Sequence, residues 1–193
     1  MISLVGIGTA GENVVNCFTD NKEYDTYILS DNVTRNTKYK RKIKYQEKLE
    51  DYESSIPDLT KFFSSINDHV QVFVCGSGRT ANATLAILQH LRNKKMDIYY
   101  IEPDTDLLLG TTKLQERAIF SILQEYTRSG LFNSFTVFSN PTLEQSIGSV
   151  PIKKYFDTIN KTIYYCVHYK NLFDHTNPII GNLESTSDIQ RIR

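Results

Sequence analysis

Two glycine-bearing turns carry the chemistry legible in this chain. The first is Gly6-Ile-Gly-Thr-Ala-Gly11, which follows an apolar run from Ile2 and opens into Glu12-Asn-Val-Val-Asn16. Glycines permit a tight turn and let backbone N–H groups approach a phosphate, while the following helix N-terminus adds partial positive charge. The phosphate contacts expected here come from Gly6, Gly8, Thr9, Ala10 and Gly11. The second turn, Cys75-Gly-Ser-Gly-Arg-Thr80, stands at another strand–helix junction. Gly76, Gly78 and Thr80 supply backbone and hydroxyl donors, and Arg79 is a cation suited to pairing with phosphate. Two such loops on one sheet would grip a polyphosphate from both sides. Taken singly, each also fits a plain strand–helix turn, the second with a Ser or Thr cap.

The elements that must position these loops alternate along the chain. Apolar runs predict strands at residues 2–7, 26–30, 70–75, 98–101 and 135–138, the third being continuous enough for a central strand covered on both faces. Helical spacing predicts helices at 12–20, 59–66, 81–93 and 112–128, and a last one from 152 to about 174. This alternation implies an α/β fold, a three-layer α/β/α doubly wound and mostly parallel sheet of Rossmann-like type. Ligands of such sheets bind at the carboxyl ends of the strands.

Composition bounds the reading. With 193 residues the chain forms one sizeable core, and 22 basic residues balance 22 acidic ones. Net charge therefore announces neither nucleic acid nor membrane, although Lys38–Lys48 is a basic run interleaved with Tyr39 and Tyr45. That run reads first as a solvated loop or edge hairpin, partly offset by the acidic stretch 47–53. Three scattered cysteines without CxxC spacing imply reduced thiols and a cytoplasmic setting. No histidine spacing matches a metal site, and no segment approaches the length of a membrane span. Cys75 reads as a strand end rather than a nucleophile, and the aromatics of 155–169 as a packed helix face from which Tyr155 or Phe156 can reach a base.

The order of these motifs resembles the tubulin/FtsZ superfamily of GTP-binding, filament-forming proteins. The stretch from Gly6 to Asn16 looks like the family's first phosphate loop, and Gly78-Arg-Thr-Ala-Asn-Ala83 occupies the place of its Gly-Gly-Thr-Gly-Thr-Gly signature. Asp31-Asn32 sits where the family places polar nucleotide-facing residues. Val137-Phe-Ser-Asn140 resembles its strand ending in Ile-Pro-Asn-Asp, and residues 155–161 resemble the start of its long central helix. The resemblance implies a guanine-nucleotide site for GTP or GDP, with Mg²⁺ as a possible companion. Asn16, Asn32 and Asn160 would contact ribose or base. Residues 181–190 resemble the family's acidic loop, which implies that Glu184 and Asp188 orient the attacking water across a head-to-tail contact between copies. On this reading residues 1–175 form the nucleotide-binding domain and 176–193 a C-terminal loop and tail.

Departures from the family pattern open two other functions. Arg79, Ala81 and Ala83 replace family glycines, Asn82 replaces a threonine, and Leu109 stands where the family has a ribose-contacting Glu. These fit a non-enzymatic structural or interaction module that kept the fold and lost the nucleotide. The spacing Gly6-x-Gly8-x-x-Gly11, with Asp31 after the second strand, also matches a dinucleotide-binding Rossmann protein.

Overall fold

Val, Ile and aromatic residues at period two build a sheet that is buried on both faces. The computed structural model describes residues 1–177 and 179–181. It contains six strands, β1 (Ile2–Ile7), β2 (Tyr24–Ser30), β3 (Lys40–Lys42), β4 (His69–Val74), β5 (Lys95–Glu102) and β6 (Ser134–Ser139). All pair in parallel, in the order β3-β2-β1-β4-β5-β6. Chain order reverses between β1 and β4, which opens a crevice at their carboxyl ends.

Among the described residues six α-helices accompany the sheet: α1 (Gly8–Asn16), α2 (Asp51–Ser54), α3 (Thr84–Gln89), α4 (Gly110–Arg128), α5 (Asn140–Ile147) and α6 (Tyr155–His175). Alternate strand residues face opposite ways. Val5, Tyr27, Val72 and Tyr100 pack with Phe62, Ile87 and Leu123 on one face. Leu4, Ile28, Phe73 and Tyr99 pack with Val14, Phe18, Ile159, Ile163 and Val167 on the other. The fold class expected from the alternation is therefore the one observed.

Three local differences have physical causes. Residues 59–66 keep the buried helical spacing of Leu59, Phe62, Phe63 and Ile66, yet form successive turns rather than an α-helix. Asp58 takes the Thr60 N–H (2.9 Å) at one end and the distant Ser3 Oγ takes the Asn67 N–H (3.0 Å) at the other, so side-chain bonds hold both ends of a segment that keeps the helical Phe63 N–H to Leu59 O bond (2.9 Å). The helix expected from residue 81 begins as a 3-10 turn at Arg79–Ala83 and becomes α-helical at Thr84. The basic run supplies β3, a single parallel edge strand rather than a hairpin.

Candidate functional site

The two glycine turns meet at the crevice between β1 and β4. Their glycines do different work. Gly8 adopts φ +69°, the left-handed turn that takes the chain from β1 into α1. Gly6 and Gly11 serve close packing instead: a Cβ on Gly6 would sit 2.6 Å from Gly11 O, and one on Gly11 only 2.3 Å from Phe73 O of β4. The first turn of α1 thereby lies directly against the sheet. No side chain caps that helix N-terminus, so its leading N–H groups face the crevice without a side-chain partner.

A cavity of about 470 Å³ occupies the crevice, within the size range of small-molecule and cofactor sites. Gly8, Thr9, Ala10 and Asn13 form one wall, and Ser77, Gly78, Arg79 and Thr80 form another. Polar side chains cross-link the two loops to the end of β2. Asn32 Nδ2 donates to Thr9 Oγ1 (3.0 Å), and Thr80 Oγ1 donates to Asp31 Oδ1 (3.4 Å). Asp31 itself lines the cavity.

Helix α6 brings Phe156, Ile159 and Asn160 to the cavity. Its register is set by Ile159, Ile163, Val167 and Asn171, buried at four-residue intervals on the sheet side. Asn171 is fixed further by a reciprocal amide pair with Gln71 of β4, at 2.7 and 2.9 Å. A one-residue slip of α6 would separate these buried amides and leave both unsatisfied. Asn140, at the start of α5, also lines the cavity, and its Oδ1 is buried with no hydrogen-bond partner among the described residues.

Of the residues expected from the sequence, Gly8, Thr9, Ala10, Gly78, Arg79, Thr80 and Asn160 line the cavity. Asn32 stands beside it through Thr9. Asn16 is exposed on the last turn of α1, away from the cavity wall. Gly76 lies behind the second loop, where an added Cβ would meet Tyr100 Oη at 2.2 Å. Glu184 and Asp188 lie outside the described residues.

The Arg79 guanidinium is engaged elsewhere. It donates to Gln46 O (2.8 Å) and Glu47 O (2.6 Å) and lies over the Tyr45 ring at 4.9 Å. Gln115 of α4 donates to the carbonyls of Gly76 and Gly78, both at 2.7 Å, and so holds the second loop from behind. Burial pushes the Cys75 thiol above its ordinary range, which keeps it protonated and unreactive at neutral pH. Asn13 and Asn140, members of the 6–16 and 137–140 motifs with no contact expected of them individually, are further cavity residues. Asp31 was flagged only by its place after β2.

No protein-family model matches the sequence, and no curated protein matches it. Among solved structures, an empty FtsZ dimer from M. jannaschii superposes with TM-score 0.65 over 93% of this chain, at 14% identity. A single-substitution mutant of M. jannaschii FtsZ superposes with TM-score 0.62 over 93% of this chain, at 13% identity. The chain spans 57% and 58% of those two chains. No helix among the described residues is long and apolar enough to cross a membrane. Strand order, switch-point crevice and superposition agree that the chain has the tubulin/FtsZ-like fold.

Proposed function

We propose that this chain binds a guanine nucleotide in the switch-point cavity and acts as a self-associating GTPase of FtsZ-like type. The observation that carries the reading is the orphaned Asn140 Oδ1, a buried acceptor on the wall of a cavity that also contains Asn160. Guanine presents N–H donors on its pairing edge, and such a donor would satisfy that atom. At the other wall the uncapped α1 N-terminus suits the phosphates, with Gly8, Thr9, Ala10 and Gly11 supplying N–H groups. Asp31, which lines the cavity and accepts from the Thr80 hydroxyl, would offer a carboxylate to a phosphate-bound Mg²⁺. Phe156 and Ile159 offer apolar surface to the base. By the family resemblance, Glu184 and Asp188 of one copy would orient water at the site of the next.

A second reading is supported by the placement of Arg79. Its guanidinium already has partners on the 45–47 segment, which suits a structural module that no longer holds a nucleotide. A third is supported by Asp31, whose position after β2 suits a dinucleotide ribose. Isothermal titration with GTP, GDP, ATP and NAD separates the three. Guanine preference that falls at least tenfold in Asn160→Ala is the expected result. Binding of NAD alone selects the dinucleotide site, and no binding of any of the four selects the structural module.

A further inference from the structure

The edge of the sheet at β3 carries a second surface, whose Tyr45 end meets Arg79 of the cavity wall. Residues 38–48 contain six cations, Lys38, Lys40, Arg41, Lys42, Lys44 and Lys48, against the one acid Glu47. The chain as a whole is neutral, so this is a local asymmetry. Among the described residues none of the six forms an ion pair. The acidic stretch that follows therefore does not quench them by contact.

Strand geometry sorts the side chains. Ile43 is buried in the core and Arg41 lies over the Phe62 ring at 5.4 Å, so these two mark the inner face. Lys40 and Lys42 alternate to the opposite face and are exposed. They stand two residues apart on an extended strand, close to the repeat of an extended nucleotide backbone. One exposed ring, Tyr45, follows them in the chain, whereas Tyr39 has the parity of the inner face and packs edge-on against the buried Tyr27 ring at 5.6 Å. Tyr39 carries the Lys38 ammonium at 4.9 Å, and Tyr45 is 64% exposed with the Arg79 guanidinium at 4.9 Å.

The strand edge is largely closed. Three of the four outward backbone groups of β3 are taken by the preceding turn: Thr37 N–H donates to Lys40 O (2.8 Å), Lys40 N–H donates to Thr37 Oγ1 (3.0 Å), and Lys42 N–H donates to Asn36 Oδ1 (2.7 Å). An added peptide strand would find no free N–H donor in β3. Recognition runs instead through the side chains, and lysines beside a stacking ring suit a phosphate backbone bearing unpaired bases.

We propose that the β3 edge binds single-stranded nucleic acid, with Lys40, Lys42 and Lys44 on the phosphates and Tyr45 as the stacking platform. The test is fluorescence anisotropy of the full chain with a labelled oligothymidylate of about 20 nucleotides. Micromolar binding is expected at about 50 mM salt, with log K falling against log salt at a slope of about −2, as for three neutralised phosphates on a single strand. The double charge reversal Lys40→Glu, Lys42→Glu should weaken binding at least tenfold, and Tyr45→Ala about fivefold or more. These side chains are exposed, and unchanged thermal unfolding of each variant confirms an intact fold. Any one of three results overturns the proposal: no binding at low salt, tighter binding to phosphatidylserine vesicles than to the oligonucleotide, or an affinity that the charge reversals leave untouched.

Discussion

At the scale of single residues, Asp97 shows how a buried charge ties strands together far from the cavity. It sits in β5 only 7% exposed, and Oδ2 meets His69 Nε2 of β4 at 2.5 Å. Its Oδ1 accepts from Asn133 Nδ2 and Ser134 Oγ, both at 2.6 Å. Burial pushes the carboxyl upward, but the hydrogen bonds from His69, Asn133 and Ser134, with the His69 charge, outweigh it and hold the pKa at about 2 against an ordinary 3.8. A depressed folded-state value means stability that is fully present above the unfolded pKa and is lost as pH falls through the folded one. The carboxylate accordingly contributes about 2 kcal/mol near neutrality, of which about 1 kcal/mol disappears between pH 5 and pH 3. Urea unfolding at those two pH values should show that loss in the parent and a smaller one in Asp97→Asn. Equal acid sensitivity of the two proteins would count against the assignment.

At the scale of elements, the contact between the second loop and the basic segment is the least anticipated. Arg79 reads from the sequence as a phosphate ligand, because a cation in a glycine turn before a helix has that chemistry available. The structure engages it with two carbonyls and a ring on the 45–47 segment, partners more than thirty residues earlier in the chain. Hydrogen bonds to a charged group contribute about 1.5–3 kcal/mol when well formed, and less when exposed as here. Arg79→Ala should therefore release this segment without unfolding the sheet. Hydrogen exchange of residues 45–48 is expected to quicken about tenfold or more while β1 and β4 keep their protection. Unchanged exchange would mean that something else fixes the segment.

The same scale explains what the sequence disclosed. Strands β1 and β4, and helices α1 and α4, were legible because apolar period and turn glycines agree there, and β2 and α6 through their apolar pattern. Strand β3 was hidden because Lys40, Arg41 and Lys42 have no β-pattern, and only pairing with β2 extends them. Residues 59–66 matched a helical period that turns also satisfy. At the cavity, the loop residues were legible through local motifs. Asn13 and Asn140 fall inside the 6–16 and 137–140 motifs without a role of their own, since only the packing of α1 and α5 on the sheet brings them to the same cavity.

At the scale of the whole molecule, stability and the cavity share one joint, the seat of α1 across β1 and β4. Gly11 makes that seat, because its missing side chain lets α1 touch the backbone of β4. In Gly11→Ala the new methyl would meet Phe73 O at 2.3 Å and Phe73 C at 3.1 Å, both rigid backbone atoms, so the helix must lift from the sheet. Overpacking of this kind costs about 1–3 kcal/mol, and for a chain this long each kcal/mol lowers Tm by about 2–4 °C. Gly8→Ala strains a different place. Its Cβ would press on the Thr80 side chain, 3.3 Å from Oγ1, which must give by a few tenths of an ångström, and the main cost comes from a left-handed φ worth about 1–2 kcal/mol. That strain falls on the turn that aims the first N–H groups of α1 at the cavity. Thermal unfolding with and without GTP should thus divide the variants. Gly11→Ala is expected to melt lowest, and Gly8→Ala to melt higher but to lose the ligand-induced rise. A Gly11→Ala protein that melts with the parent would mean that α1 is not seated on β4, and the cavity wall would have to be built some other way.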